Sequence, residues 1–123
     1  MTFTITYRNM GNIPITAVSI VDSLLPRLAL DISSPAPAQL SEIFDRLLDE
    51  VRLEIGFGGG EHLAAEAQAF PNIGFIGCEP YVNGMAKILA QIEAQNIANI
   101  RLFAGDASEL LAWAPPRSLA RLD

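Results

Sequence analysis

Leu53-Glu54-Ile55-Gly56-Phe57-Gly58-Gly59-Gly60-Glu61-His62-Leu63 is the stretch on which the fold turns. A β-favouring run from Val51 to Ile55 leads into four glycines within five residues. From Gly60 to Phe70 the alanines and Leu63 then fall at helical spacing. Strand, glycine loop and helix in that order mark a place where a ligand can come close to the backbone, because a Cβ would hold it off. Four glycines exceed what a tight turn alone requires.

Downstream the same alternation repeats. Pro71-Asn72 is a turn, Ile73 to Cys78 a second strand, and Val82 to Gln95 a helix with Val82, Met85, Ile88, Leu89 and Ile92 on its apolar face. Pro80 stands just ahead of that helix, where its fixed φ is favourable. Asn99 to Ala104 reads as a third strand, Ala107 to Trp113 as a third, short helix, and Ser118 to Leu122 as the start of a fourth strand. Upstream, Gln39 to Leu48 has helical spacing through Leu40, Ile43, Phe44, Leu47 and Leu48, behind a linker at Ser33-Ser34-Pro35-Ala36-Pro37. Ile20 to Leu30 carries a helical stripe that Pro26 should kink or split, and residues 1–19 show no sustained period and read as poorly ordered. The expectation is an α/β protein, a parallel sheet with right-handed crossovers and flanking helices, in one unit over residues 20–123. Ligands of such sheets bind at the carboxyl ends of the strands.

Composition narrows the function. Eight basic against fourteen acidic residues give a net charge of -6, the wrong sign for a free-standing module that grips phosphates, so any nucleic-acid contact must come from elsewhere. The apolar-leaning stretch from Ile13 to Leu30 is broken by Asp22, Pro26 and Arg27, and is not a membrane span. Met1 to Asn12 lacks the layout of a secretory signal, which points to the cytoplasm. The single cysteine, Cys78, lies in an apolar run and reads as a buried, inert thiol. One histidine, His62, without Cys or His partners makes no metal site, and a helix-surface role is expected for it. Trp113 follows Leu110 and Leu111 and reads as a core residue rather than a base-stacking platform.

Three acids follow or end the strands. Glu54 opens an E-x-G-x-G-x-G pattern through Gly56, Gly58 and Gly60. The dinucleotide fingerprint G-x-G-x-x-G would need its last glycine at position 61, where Glu61 stands and would repel a pyrophosphate. Glu79 lies 25 residues after Glu54, near the ~20-residue spacing of a ribose-binding acid. Asp106, followed by Ala107, can accept from an adenine amino group or cap the next helix, and the two roles can coexist. A ligand with a sulfonium, an α-amino group, a ribose diol and an adenine, but no phosphate, suits this acidic edge. S-adenosylmethionine is such a ligand.

The glycine stretch, Phe75-Ile76-Gly77-Cys78-Glu79-Pro80 with Asn83-Gly84, and Asn99-Ile100-Arg101-Leu102 with Gly105-Asp106-Ala107 together resemble the bacterial tRNA (guanine-N7)-methyltransferases, as does Ser23-Leu24-Leu25-Pro26-Arg27-Leu28 upstream. The resemblance runs from about Ile20 to Asp123. It implies a Rossmann-like class I methyltransferase fold, of which this is the N-terminal half. It also implies S-adenosyl-L-methionine as cofactor, contacted through Glu54, the glycine loop, Glu79, Asp106 and Ala107, and tRNA as substrate. Residues 1–19 depart from the family, which carries an arginine-rich segment there. The family continues through its fourth strand into a Pro-Asp-Pro-Trp motif that holds the catalytic aspartate. Asp123 falls a few residues before that motif, so no catalytic residue is expected in this chain. Beside this reading stand a different S-adenosylmethionine-dependent methyltransferase and a non-catalytic remnant. An exposed edge on the first strand is also expected, with marginal stability or self-association as its consequence.

Overall fold

The computed structural model describes residues 15–122. Helix α1 (Ile15–Leu28) is followed by a single 3-10 turn at Leu40–Ile43 and strand β1 (Glu50–Ile55). Helix α2 (Glu61–Ala69), β2 (Ile73–Cys78), α3 (Val82–Gln95), β3 (Ile100–Phe103), α4 (Ala107–Trp113) and β4 (Arg121–Leu122) complete the order. All the strand pairs are parallel, in the order β3-β2-β1-β4. Ile55 pairs with Cys78 and Cys78 with Phe103, so the first three strands end at one edge.

β2 is an interior strand buried at every position, which is why Ile73-Gly74-Phe75-Ile76-Gly77-Cys78 reads as a continuous apolar run rather than an alternation. On one face α1, α2 and α3 bury Val21, Leu25, Leu63, Ile88, Leu89, Phe75 and Leu102. On the other, the segment from Leu30 to Leu48 and α4 cover Val51, Leu53, Ile76 and Cys78 with Leu40, Phe44 and Leu110. Leu53, Ile76 and Leu110 are 0–1% exposed, and each contributes roughly 1.5–3 kcal/mol by burial.

Four expectations are corrected or sharpened. The first helix begins at Ile15, ahead of the Ile20 stripe, and continues through Pro26 as one helix; the rest of the segment read as poorly ordered, residues 1–14, lies outside the described residues. Gln39 to Leu48 is not a helix beyond the turn at Leu40–Ile43. The reason is tertiary: Arg101 Nε donates to the Ile43 carbonyl, and Phe44 turns extended to lay its ring, with Leu48, over Gly74. Leu47, placed on that supposed apolar face, is 98% exposed. The first strand is not the edge of the sheet. Ala120 N–H donates to the Val51 carbonyl, and Arg121 and Leu122 pair with Arg52 and Leu53, so the edge passes to β4. On the opposite side Ala29 bridges Leu102 and Leu30 N–H donates to the Leu102 carbonyl, which pairs part of β3's outer edge.

Candidate functional site

The carboxyl edge of the sheet carries the three acids. Glu54 is the penultimate residue of β1, half-buried and in register with Gly77. Glu79 follows β2, its N–H continuing the ladder to the Phe103 carbonyl, and is 6% exposed. Its Oε1 accepts from Gly58 N–H at 3.1 Å and its Oε2 from Tyr81 N–H at 3.2 Å. The backbone thus fixes the plane of this carboxylate, while each oxygen retains lone pairs for a further donor. Asp106 caps α4, Oδ1 accepting from Ser108 N–H at 3.1 Å. Ala107 packs against the second core cluster, so what it offers a ligand is main chain.

The glycine loop has two unlike sides. Gly56 and Gly58 have φ of +64° and +62°, a region costly for residues with a Cβ, and an added Cβ at either would meet nothing within 4 Å. Between them Phe57 is buried, its ring beneath Gly77, which anchors the loop in the core. Open space lies over Gly56 and Gly58, beside the Glu79 carboxylate that Gly58 N–H holds. Glu61 folds back over the start of α2, both carboxylate oxygens 2.8 Å from where a Cβ on Gly59 would stand. A carboxylate at that helix N-terminus disfavours a phosphate there.

Cys78 lies between the acids. Its Sγ donates to the Gly105 carbonyl at 3.1 Å, and burial, reinforced by the charges of Asp106 and Glu79, pushes the thiol up to about 11. An inert thiol, as the sequence implied, is the consequence. His62 is on the surface of α2, 2.8 Å from Glu66 one turn on. Trp113 packs against the second core cluster, its ring N–H donating to the Ser34 carbonyl. Among the described residues no group of His, Cys, Asp or Glu is arranged to hold a metal ion. Two clefts of about 320 and 370 Å3 open elsewhere, one beside Arg117 and Ser118 and one between Arg101 and Trp113; neither is bordered by Glu54, Glu79 or Asp106.

Sequence reasoning passed over two structural contributors. Asn99, 3% exposed, donates through Nδ2 to the carbonyls of Ala67, Phe70 and Ile73, tying the end of α2 to the start of β2. Gln91 donates to the Gly59 carbonyl at 2.8 Å. Asn99 opens a stretch that carries the resemblance and Gln91 belongs to no motif, but each bonds a carbonyl 26 or more positions away, which no local pattern signals.

The parallel sheet, its helices and the glycine loop define the class I methyltransferase fold. A 16S rRNA methyltransferase, KamB, shares it with a TM-score of 0.54 and 22% identity, over 72% of this chain and 42% of that one. Phosphoethanolamine N-methyltransferase 2 of Haemonchus contortus, solved with S-adenosylhomocysteine, does so at 0.51 and 22%, over 69% and 19%. The model of a family described as putative methyltransferase matches residues 49–123, and the chain belongs to that family. It is 74% identical over 104 residues to the tRNA (guanine-N(7)-)-methyltransferase of Bradyrhizobium diazoefficiens, covering 85% of this chain and 44% of that protein. Proteins of the same name from Rhodopseudomonas palustris strain BisB18 and Nitrobacter hamburgensis are 71% and 66% identical, and the shared region is 41% of each. The chain therefore spans less than half the length of these relatives.

Proposed function

We propose that this chain is the S-adenosylmethionine-binding portion of a tRNA (guanine-N7)-methyltransferase, formed by residues 20–123. The observation that carries the cofactor is Glu79: a nearly buried carboxylate, braced by two backbone N–H groups, next to a loop open over Gly56 and Gly58. Its remaining lone pairs suit a ribose diol, which brings two donors. Gly56 and Gly58 leave the backbone open to close approach while Gly60 seats the loop against Ile88, Glu54 supplies negative charge for an α-amino group, and Asp106 with the Ala107 main chain serves the adenine. The substrate reading rests on the relatives at 66–74% identity that bear the tRNA (guanine-N(7)-)-methyltransferase name.

S-adenosylmethionine supplies a methyl group on a sulfonium, and guanine N7 has an exposed lone pair and loses no proton on methylation, so alignment matters more than a base. The residues of this chain act accordingly: they hold and orient, and none takes a proton. With a charge of -6 the chain is not the RNA-gripping surface, so tRNA is a partner engaged by regions beyond it. A cytoplasmic location belongs to the same reading; among the described residues no helix is long and apolar enough to cross a membrane. Self-association through the sheet edge is a second proposal, favoured by β4 standing last in the strand order.

Calorimetric titration with S-adenosylmethionine tests the cofactor site. The parent chain binds and Glu79→Ala does not. Binding that survives in Glu79→Ala would move the site elsewhere, and a parent that binds nothing would leave a non-catalytic remnant. Methyl transfer to unmodified tRNA by the protein that includes this chain then tests the substrate.

A further inference from the structure

Gly84, Ile88 and Gln91 stand at i, i+4 and i+7 of α3, on one face of the helix. Each meets a different residue of the glycine loop. A Cβ on Gly84 would lie 2.4 Å from the Gly58 carbonyl oxygen, and one on Gly60 would lie 2.6 Å from Ile88 Cδ1. Gln91 Nε2 donates to the Gly59 carbonyl at 2.8 Å, a shorter bond than its 3.3 Å approach to the Lys87 carbonyl on its own helix. This face of α3 seats the side of the loop turned away from the open space over Gly56 and Gly58. Gly84 and Ile88 act by shape alone, whereas Gln91 is the polar one and bonds the loop main chain directly.

Glycine loses more conformational freedom on ordering than any other residue, so a loop with four glycines in five positions is costly to order, and that cost falls on ligand affinity if the loop orders only when the ligand arrives. We propose that Gln91 is a positioning residue for S-adenosylmethionine: by bonding the Gly59 carbonyl it holds the glycine loop in its binding conformation before the ligand enters. Gln91 does not touch the ligand in this account; it acts through the loop. The proposal rests on the cofactor reading above.

The test compares the parent chain with Gln91→Met, which keeps the length and apolar stem but has no donor, and Gln91→Lys, which keeps a donor. Gln95→Met, an exposed position on the same helix, controls for the exchange of glutamine for methionine. The probe is S-adenosylhomocysteine, which lacks the sulfonium charge that would repel a lysine. Gln91→Met weakens binding roughly 3- to 10-fold, the worth of one net hydrogen bond, while Gln91→Lys stays within about twofold of the parent. Amide hydrogen exchange at residues 56–61 of the ligand-free protein is faster in Gln91→Met and parent-like in Gln91→Lys and Gln95→Met. Parent-like affinity in Gln91→Met overturns the proposal. Equal losses in the Met and Lys variants also overturn it, since packing alone then explains them. A loss of affinity with unchanged loop exchange does so too, because the loop is then not what Gln91 acts through. A parent chain that does not bind the probe removes the cofactor reading itself and the proposal with it, a result distinct from the other three.

Discussion

Both oxygens of the Glu79 carboxylate accept from the backbone, so the two ends of the group cannot be exchanged for an amide without conflict. In Glu79→Gln one of the two N–H groups faces an NH2 instead of an oxygen. The two hydrogen bonds are only partly buried, so losing one costs roughly 0.5–1.5 kcal/mol, and this near-isosteric change is expected to lower urea-unfolding stability by that amount and to weaken cofactor binding as well. Gly84→Ala tests crowding at the other side of the loop. Alanine favours a helix by roughly 1 kcal/mol over glycine, yet its Cβ would stand 2.4 Å from the Gly58 carbonyl oxygen and 3.1 Å from Glu79 Cγ. The loop must shift, and lower affinity for S-adenosylhomocysteine is expected despite the better helix former. Cys78 gives a pH signature. Its folded pKa is raised from 9.0 to about 11, so the thiol's contribution to stability is fully present below pH 9 and is lost as pH rises through about 11. Unfolding midpoints measured across pH 9 to 11 should fall more steeply in the parent than in Cys78→Ala.

At the scale of elements, α4 and the α2–β2 junction each depend on one polar residue. Asp106 accepts from Ser108 N–H at the start of a seven-residue helix, and Asp106→Ala is expected to cost roughly 1 kcal/mol in chemical denaturation. Asp106→Ser keeps a capping oxygen but is one atom shorter, so it separates the two roles the sequence left coexisting: stability near that of the parent with weaker cofactor binding. Asn99→Ala removes the donor shared by three carbonyls, and a loss of roughly 2 kcal/mol is expected from the same unfolding measurement. The helical reading of 39–48 failed at this scale because period alone cannot show that Arg101, about sixty positions on, takes the Ile43 carbonyl and sets its guanidinium 5.1 Å from the Phe44 ring. Burial lowers the pKa of that guanidinium and the charge of Asp45 opposes the shift, a cation integrated into the fold rather than part of a basic patch.

For the whole molecule, the sheet order among the described residues puts β4, with two paired positions, outside β1. Parallel sheets are normally covered, and an open edge is a template for another chain. Sedimentation across a concentration series is expected to show reversible association of this chain; a monomer throughout, with a sharp reversible thermal transition, would remove the self-association proposal.

The sequence by itself determined the alternation of strands and helices, the parallel class and the three acids at the strand ends, since these follow from period, glycine spacing and the rule that a parallel strand presents its carboxyl end to a ligand. The bounds of β2, α3 and α4 coincide with those read from the residues. Tertiary structure alone decided the rest. It set which carboxylate is locked by backbone donors, which face of the glycine loop is open and which is seated on α3, why 39–48 holds only one 3-10 turn, and which strand stands outside β1. Each depends on a contact between residues far apart in the chain, such as Gly58 with Glu79, Gly59 with Gln91, Ile43 with Arg101, or Val51 with Ala120. A local pattern cannot encode such partners, because hydrogen bonds and close packing are satisfied in space rather than along the sequence.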